Sequence, residues 1–246
     1  MNRIGITGGR GFIGKYLIME LKKQGLNVLT FDLPRNNLLN PKENNLKKFV
    51  KENDVIIHAA AVNRGTDLEV ISGSVVATYN LISAMIKFKS RAKLIFLSSI
   101  QAETGTLYGQ SKKLAEIMLE NFSARYKIPV SILRLTNVFG EGCKPFYNSA
   151  VATFCHQAAN GQKLTVDSKS KNRKMNLVYI GDLVKMISEE IFAKRTKNFY
   201  FKRVSVKNLI TIGDLAKLIM SFKNIDSQKI KGKFNKDLHK TYLSYI

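Results

Sequence analysis

A glycine-rich turn near the N-terminus constrains the fold more than any other part of the sequence. Residues 3–7 are mostly apolar and predict a strand, and the apolar spacing of residues 12–24 predicts a helix. Glycines 8, 11 and 14 lie where the strand turns into the helix. Glycine permits a tight turn, close approach of the backbone to a pyrophosphate, and close packing of helix on strand. The unpaired amides at the start of the helix then face the phosphates.

This turn predicts a dinucleotide-binding unit. The residues expected to contact the cofactor phosphates are Gly8, Arg10, Gly11, Phe12, Ile13 and Gly14.

Strands and helices alternate along the rest of the chain. Apolar runs predict strands at 27–31, 54–57, 93–97 and 130–135, and amphipathic spacing predicts helices at 67–89 and 108–126. After residue 140 the pattern is mixed, with helices predicted at 146–160, 180–192 and 212–222 and short strands at 177–178 and 199–201. We therefore expect an α/β fold, with a doubly wound parallel sheet of the Rossmann type in residues 1–140. A small mixed substrate-binding part is expected at 141–222, and the basic segment 223–246 is left unassigned.

The formal net charge of +22 has two interpretations. A strong positive charge is typical of proteins that bind nucleic acid or a membrane surface. The lysines are spread along the chain, however, and no compact basic block is interleaved with aromatic residues. We therefore expect no nucleic-acid partner, and a charge that steers an anionic small molecule toward its pocket.

Composition also bears on location and metal binding. The first residues run directly into a strand, and no apolar run approaches the roughly 18 to 20 residues that span a bilayer. Cys143 and Cys155 are too few for a disulfide framework, which favours a reducing cytoplasm. The histidines show no ligand spacing, so we expect neither membrane insertion nor a metal site.

The sequence favours NADP(H) but leaves NAD(H) open. Asp32 follows the second strand, where an acidic side chain often binds the ribose hydroxyl of NAD. Arg10 lies within the glycine turn and Arg35 lies three residues after Asp32. Both guanidinium groups are able to bind the 2′-phosphate of NADP in bidentate fashion.

Catalytic chemistry is predicted where a helix begins at Tyr108. Lys112 lies on the same helix face, four residues later. A tyrosine has a pKa near 10, and an adjacent ammonium favours its phenolate form, which suits acid–base work at neutral pH. Ser98 and Ser99 end a buried strand, where a hydroxyl can bind a substrate carbonyl oxygen. Ser99 is the first choice and Ser98 the second, because neighbours on a strand point to opposite faces.

In combination, these motifs resemble the extended short-chain dehydrogenase/reductases. Further segments carry the resemblance: DVIIHAAA at 54–61, RLTNVFG at 134–140 and VYIGDL at 178–183. The resemblance implies an NAD(P)-dependent oxidoreductase in which Ala59 and Ala60 contact the cofactor. It also implies a homodimer that pairs the helices starting near Asp67 and Tyr108 across a twofold axis.

Narrower features resemble the CapF-type reductases of capsule and O-antigen synthesis. They are VNR at 62–64, SSIQA at 98–102, CKPFYNS at 143–149 and ATFC at 152–155. The resemblance implies reduction of a UDP-linked 4-keto-6-deoxy-N-acetylhexosamine, with Asn63, Asn137, Cys143 and Asn148 as candidate sugar contacts. Cys143 stays open between a functional thiol, which acts as an acid or binds the sugar by a hydrogen bond, and a small buried apolar residue. Such reductases commonly carry a C-terminal metal-binding cupin domain, and we expect the reductase part without it.

Two other functions stay open. A nucleotide-sugar 4-epimerase would use the same serine, tyrosine and lysine with a tightly held NAD. A non-catalytic NAD(P)-binding protein is the third hypothesis, although such relatives usually lose the tyrosine and lysine. A 4,6-dehydratase is disfavoured, because Ile100 and Gln101 occupy the places of the carboxylate pair which that reaction needs.

Overall fold

The computed structural model describes residues 3–207 and 209–246. Within these residues the strands are β1 (Arg3–Thr7), β2 (Asn27–Phe31), β3 (Val55–His58), β4 (Lys93–Ser99), β5 (Val130–Leu135), β6 (Asn137–Phe139), β7 (Lys174–Tyr179), β8 (Phe199–Val204) and β9 (Leu209–Thr211). The α-helices are α1 (Phe12–Lys23), α2 (Glu43–Glu52), α3 (Asp67–Ile71), α4 (Ala77–Lys87), α5 (Leu107–Tyr126), α6 (Ala150–Ala159), α7 (Ile180–Phe192), α8 (Ile212–Ser221) and α9 (Lys233–Leu243).

A six-stranded parallel sheet is the centre of the first part of the fold. Its strand order is β2-β1-β3-β4-β5-β8, so the direction in which the sheet grows reverses between β1 and β3. Strands β3 and β5 are buried along their whole length, as expected for parallel strands covered on both faces. The predicted doubly wound parallel sheet is confirmed. In sheets of this kind, ligands bind outside the carboxyl ends of the strands at the point of reversal.

The chain divides into two compact units, each made of two segments. The first unit contains Met1–Leu135 and Met186–Val204, and the second contains Thr136–Lys185 and Ser205–Ile246. The predicted boundary at residue 140 lies close to the first division. The predicted boundary at residue 222 has no counterpart, because the chain returns at 186–204 to supply β8 to the parallel sheet.

The first unit has a core between the sheet and helices α2, α4 and α5. Phe49 and Phe96 are among its largest fully buried side chains, and the Phe31 and Phe49 rings lie 5.2 Å apart. Full burial of such a side chain contributes about 1.5 to 3 kcal/mol. This core fixes the strand ends from which the site is built.

The second unit has a small sheet with the strand order β6-β7-β9, in which β9 runs antiparallel to β7. Helices α6, α8 and α9 supply much of its core, which includes Cys155, Leu215 and Leu238. The prediction of a small mixed part is confirmed, and the segment left unassigned at 223–246 contains α9.

Two predicted helices differ from the structure, and several of its elements were not predicted. The helix predicted at 146–160 begins only at Ala150, because Phe146 has a positive φ of 56° and the Ser149 side chain caps the Ala152 amide. Helix α2 was not predicted, and the strands β6 and β9 were missed because each has only three residues. The helix predicted at 67–89 is interrupted by a π-helical turn at Ser72–Val76.

The same interrupted helix bears on the membrane prediction. By length and composition alone, Asp67–Lys87 is long and apolar enough to cross a membrane, which the sequence interpretation missed. Half of this stretch is buried inside the fold. The core helix of a soluble protein passes the same test, so the feature is weak evidence for a membrane span.

Candidate cofactor and catalytic site

The glycine turn forms a cradle that side chains would fill. Gly8 has a φ of +76°, and a Cβ there would lie 2.6 Å from the Ala60 nitrogen. A Cβ on Gly14 would lie 2.2 Å from the Gly8 oxygen, so the close contact of α1 with the turn depends on glycine. Gly11 is exposed and is the N-cap of α1.

The start of α1 is suited to an anion. No side chain of the described residues caps its first turn, and that turn contains no acidic residue. Its amides are therefore available to a phosphate, and the helix dipole favours negative charge there. Gly8, Gly11, Phe12, Ile13 and Gly14 thus form a turn into which a dinucleotide pyrophosphate fits, and their contact with a cofactor stays a prediction.

Asp32 lies at the carboxyl end of β2 and binds the glycine turn directly. Both of its carboxylate oxygens accept a hydrogen bond from the Gly9 amide, at 2.9 and 3.0 Å. Burial raises the pKa of Asp32, while the backbone amides of the turn and the charge of Arg10 act in the opposite direction. Arg10 and Arg35 are both exposed, and Arg35 lies in the turn closed by the Asn36 amide and the Asp32 oxygen. The Asp32 carboxylate and the exposed residues Arg10 and Arg35 thus lie on the glycine turn and on the segment that follows β2.

The start of the loop after β3 packs on the glycine turn. The Ala60 amide donates to the Thr7 hydroxyl at 3.3 Å, and the Ala59 amide donates to the Thr7 backbone oxygen at 3.1 Å. The structure therefore brings Ala59 and Ala60 to the cradle, as the resemblance implies. Asn63 follows in the same loop and is half-buried.

His58 at the end of β3 is held between two threonines. Its Nδ1 lies 2.7 Å from the Thr7 hydroxyl and its Nε2 lies 3.1 Å from the Thr78 hydroxyl. Burial, followed by the charge of Lys112, lowers the pKa of His58 to about 3. The ring is therefore neutral at physiological pH, which fits a structural role better than that of a base.

Tyr108 and Lys112 lie in the first turns of α5. The Lys112 ammonium is 6.0 Å from the centre of the Tyr108 ring and 4.5 Å from that of Phe96, and it donates to the Leu97 oxygen at 3.1 Å. Lys112 is only 1% exposed. Burial lowers its pKa to about 7, opposed by the charge of Glu116. A lysine in this state changes charge near neutral pH.

Ser98 and Ser99 end β4 and differ in their surroundings. The Ser98 hydroxyl is buried and donates to Glu116 Oε1 at 2.5 Å. Ser99 is half-buried, and its hydroxyl accepts a hydrogen bond from the Gln101 amide at 3.1 Å. These surroundings favour Ser99 over Ser98 as the hydroxyl for a substrate oxygen.

The first turn of α5 lies against the turn that follows Ser99. A Cβ added to Gly109 would lie 2.0 Å from the Gln101 oxygen. This close backbone contact places Gly109, the neighbour of Tyr108, against the turn that the Ser99 side chain caps. Tyr108, Lys112 and the end of β4 therefore form one group at the carboxyl edge of the sheet.

Sequence reasoning missed a charged network beside this group. Arg134 Nε donates to Glu116 Oε1 at 3.0 Å, Arg134 Nη1 donates to Glu103 Oε1 at 2.7 Å, and Arg203 also bonds Glu103. Glu116 and Arg134 are both buried. The signal for them was an acid within the buried face of a helix and an arginine within a buried strand, both of which require a partner.

The other predicted sugar contacts belong to the second unit. Asn137 is on β6 and donates to the Asn176 oxygen at 3.3 Å, and Asn148 is exposed just before α6. Cys143 is buried, and burial raises the pKa of its thiol, opposed by a hydrogen bond with Ser149. The role of all three residues in substrate binding stays a prediction.

The loop that contains Cys143 is anchored by the C-terminal residues. Glu141 lies 2.7 Å from the Lys240 ammonium and accepts from the Tyr179 hydroxyl at 2.9 Å. The Tyr245 hydroxyl donates to the Cys143 oxygen. Within the described part of the chain, no group of three or more His, Cys, Asp or Glu residues is arranged to hold a metal ion.

The parallel sheet, the glycine cradle and the Ser–Tyr–Lys group define a nucleotide-cofactor-binding fold of the short-chain dehydrogenase/reductase type. The model of the NAD dependent epimerase/dehydratase family matches residues 4–189, and the chain belongs to this family. The predicted membership of the epimerase/dehydratase family is thereby confirmed.

Three similar proteins illustrate the range of the family. The chain is 32% identical over 247 residues to a UDP-2-acetamido-2,6-beta-L-arabino-hexul-4-ose reductase of Pseudomonas aeruginosa, a match that covers 98% of this chain and 64% of the reductase. The capsular polysaccharide assembling protein CapF of Staphylococcus aureus is 29% identical with a TM-score of 0.76, covering 99% of this chain and 65% of CapF. A UDP-glucose 4-epimerase of Thermotoga maritima is 18% identical with a TM-score of 0.84, covering 99% and 98%, and shares the fold.

The chain thus spans slightly less than two thirds of the length of the Pseudomonas reductase and of CapF. The predicted resemblance to CapF-type reductases is confirmed.

Proposed function

We propose that this chain is an NADP(H)-dependent reductase of a nucleotide-linked 4-keto-6-deoxy-N-acetylhexose, acting in the synthesis of capsule or O-antigen precursors. The observation that carries the proposal is that the buried Lys112 ammonium lies 6.0 Å from the centre of the Tyr108 ring, beside the end of β4. The substrate class is supported by the name of the Pseudomonas relative, a reductase of a UDP-linked 4-keto sugar. The pathway is supported by the likeness to a capsular polysaccharide assembling protein.

The chain's own residues account for the polar part of a carbonyl reduction. A bound nicotinamide cofactor supplies the hydride. The Ser99 hydroxyl donates a hydrogen bond to the substrate carbonyl oxygen, where negative charge develops, and Tyr108 donates the proton to that oxygen. The Lys112 ammonium favours the phenolate form of Tyr108 and holds the ribose hydroxyls of the cofactor.

The preference for NADP(H) rests on charge at the end of β2. Arg10 and Arg35 are both exposed near Asp32, and guanidinium groups bind a phosphate by two parallel hydrogen bonds. Both carboxylate oxygens of Asp32 accept a hydrogen bond from the Gly9 amide, so this carboxylate already binds the glycine turn. These contacts support a phosphate rather than a ribose hydroxyl as the group that is recognised.

For the sugar itself, we propose Asn63, Asn137, Cys143 and Asn148 as contacts. Amide side chains suit hydroxyl and acetamido groups because they both donate and accept hydrogen bonds. The raised pKa of Cys143 keeps its thiol protonated, so its role is that of a donor or a packing surface and not of a nucleophile.

We also propose a cytoplasmic homodimer. Apolar side chains are exposed on α5, with Leu114 at 47% and Ile117 at 43%, and Tyr79 of α4 is 58% exposed. A stripe of this kind is typical of a surface that a second copy covers. Both cysteines are unpaired, which suits a reducing compartment.

The proposal is tested by supplying the full chain with NADPH and a UDP-linked 2-acetamido-2,6-dideoxy-4-keto sugar. The expected result is loss of NADPH fluorescence in step with formation of the reduced sugar. Tyr108→Phe should bind NADPH normally and reduce the sugar at least about 100-fold more slowly, because the proton donor is lost. Tyr126→Phe, at the other end of the same helix, is the matched control and should keep full activity.

Other outcomes would refute the reductase. Interconversion of two sugars without net loss of NADPH would identify an epimerase. Cofactor binding without conversion of any 4-keto sugar would identify a non-catalytic binding protein. Near-normal activity of Tyr108→Phe would remove Tyr108 as the acid, and Cys143 would be the next acid to test.

A further inference from the structure

A buried carboxylate lies one helical turn after Lys112. Glu116 is four residues further along α5, and both side chains are on the buried face of the helix, at 4% and 1% exposure. Glu116 has no part in the carbonyl reduction proposed for Ser99, Tyr108 and Lys112. A buried carboxylate is costly to the fold unless other groups pair with its charge.

Three hydrogen bonds hold this carboxylate from two strands. Ser98 of β4 donates to Oε1 at 2.5 Å, Arg134 Nε of β5 donates to the same oxygen at 3.0 Å, and Arg134 Nη2 donates to Oε2. Arg134 also reaches Glu103 in the turn after Ser99. The carboxylate is therefore fixed relative to the strand that ends at Ser99 and to the turn that meets the start of α5.

The charge of Glu116 acts on Lys112. Burial lowers the pKa of Lys112 to about 7, and Glu116 is the neighbour whose charge raises it. The other titratable or charged groups around the ammonium are Tyr108 on the same helix, His58 on β3, and Arg134, which is bound to Glu116. His58 is neutral at physiological pH, so it gives Lys112 no negative partner. Among the described residues around Lys112, Glu116 supplies the negative charge.

We propose that Glu116 is a positioning residue that acts on Lys112 through its charge: the Glu116 carboxylate, which Arg134 and Ser98 fix one helical turn away, keeps the lysine charged for the cofactor ribose and for Tyr108. The inference rests on the proposed function to the extent that Lys112 binds the cofactor. It predicts that removing the charge of Glu116 changes the pH range of cofactor binding, because a neutral lysine makes weaker hydrogen bonds than an ammonium.

The experiment measures the dissociation constant of NADPH by fluorescence titration between pH 6 and 9.5. In the unmodified chain, log Kd is level at low pH and begins to rise at the pKa that Lys112 has in the free protein. In Glu116→Gln the rise should begin about one pH unit lower, which makes binding about tenfold weaker at a pH above both transitions. Lys112→Arg stays charged over the whole pH range. Its titration therefore measures how the other groups, including the cofactor phosphate, change the NADPH dissociation constant with pH.

The matched control is Lys113→Met. Lys113 is exposed, and its ammonium lies 3.8 Å from the same carboxylate, so this variant removes a neighbouring charge without touching the buried bonds. Its transition should stay where it is in the unmodified chain. If Glu116→Gln gives no folded protein, Arg134→Met decides the question. Removing that cation leaves the full charge of Glu116 to act on Lys112, and the transition should move to higher pH.

A shift in the predicted direction with an unmoved Lys113→Met supports the positioning role. A purely structural role for Glu116 would lower the melting temperature and weaken binding equally at every pH, which would overturn the inference and leave the proposed reductase intact. If the unmodified chain bound neither NADPH nor NADH, the proposed function and the inference would both be wrong.

Discussion

Replacing Lys112 by methionine should make the cofactor-free protein more stable while it removes most of the affinity for a nicotinamide cofactor. The reason is that Lys112 is buried, and burial lowers its pKa from 10.5 to about 7. A group with so large a shift costs the folded state on the order of 4 kcal/mol at pH 7, because the unfolded chain holds the proton in water.

The net effect is smaller than this charge term. Methionine fills a similar volume without a charge, but it leaves the Leu97 oxygen without its donor and gives up the ammonium contact with the Phe96 ring. Those losses amount to about 2 kcal/mol. A net gain of about 2 kcal/mol corresponds to a rise in Tm of about 4 to 8 °C for a chain of this size.

The pH dependence has a definite sign. Because the pKa is depressed on folding, the unfolded chain binds more protons than the folded protein between pH 7 and 10.5, and the stability of the unmodified protein rises with pH over that window. Methionine binds no proton, so its advantage shrinks as pH rises. The charge term falls to about 2 kcal/mol at pH 9, where the two proteins should have nearly equal stability.

The assay is thermal unfolding at pH 7 and pH 9, with and without saturating NADPH. NADPH should raise the Tm of the unmodified protein and leave that of Lys112→Met almost unchanged. Lys113→Met, one residue along the same helix and exposed, should change Tm by less than about 2 °C. A lower Tm for Lys112→Met at pH 7, or a difference that does not vary with pH, would refute the reasoning.

Three further predictions follow from other parts of the structure. Arg35→Ala should erase a preference for NADPH over NADH of about ten- to a hundredfold in fluorescence titrations, and equal binding by the unmodified chain would return Asp32 to an NAD role. Gly109→Ala should lower kcat by at least about tenfold with little change in NADPH affinity, because the added Cβ displaces the first turn of α5. An unchanged kcat in steady-state kinetics would contradict this prediction. Leu114→Glu should convert the proposed dimer to a monomer in light scattering. Met220 of the second unit is similarly exposed, and Met220→Glu should leave the dimer intact. A monomeric unmodified chain would contradict the dimer.

The elements predicted correctly are those whose signal is local. The glycine turn needs only its own three glycines where a strand meets a helix, and β3 and β5 are mostly apolar, as is typical of strands buried on both faces. Such features survive folding because tertiary contacts reinforce the local preference. They were sufficient to predict the parallel sheet and the glycine turn at its edge.

The missed elements have weak local signals. Helix α2 buries only Leu46, Phe49 and Val50 among ten mostly polar residues. Helix α9 is rich in lysine and buries Leu238 and Tyr242 against the second unit's core. In both cases the stability of the helix comes from packing of a narrow stripe, which the sequence does not reveal until its partner is known.

Some contacts of the candidate site follow from sequence spacing, and others depend on how the elements pack. Tyr108 and Lys112 are four residues apart on one helix, so their proximity follows from helical geometry alone. Alternation along β4 indicates that Ser98 and Ser99 point to opposite faces, but it does not say which face meets α5. Nor does sequence spacing predict that Glu116 meets Arg134, because that contact depends on how α5 packs over β4 and β5.

The late position of β8 has a consequence for how the protein is made. On the ribosome, β5 is complete long before Phe199 is added, because residues 136–185 of the second unit and most of α7 are synthesised in between. During that interval β5 presents an unpaired, largely apolar edge, which is the kind of strand edge that recruits other chains. A nascent chain stopped before β8 should therefore depend on chaperones, and the parallel sheet should not be obtained as a soluble fragment by cutting the gene after Leu135.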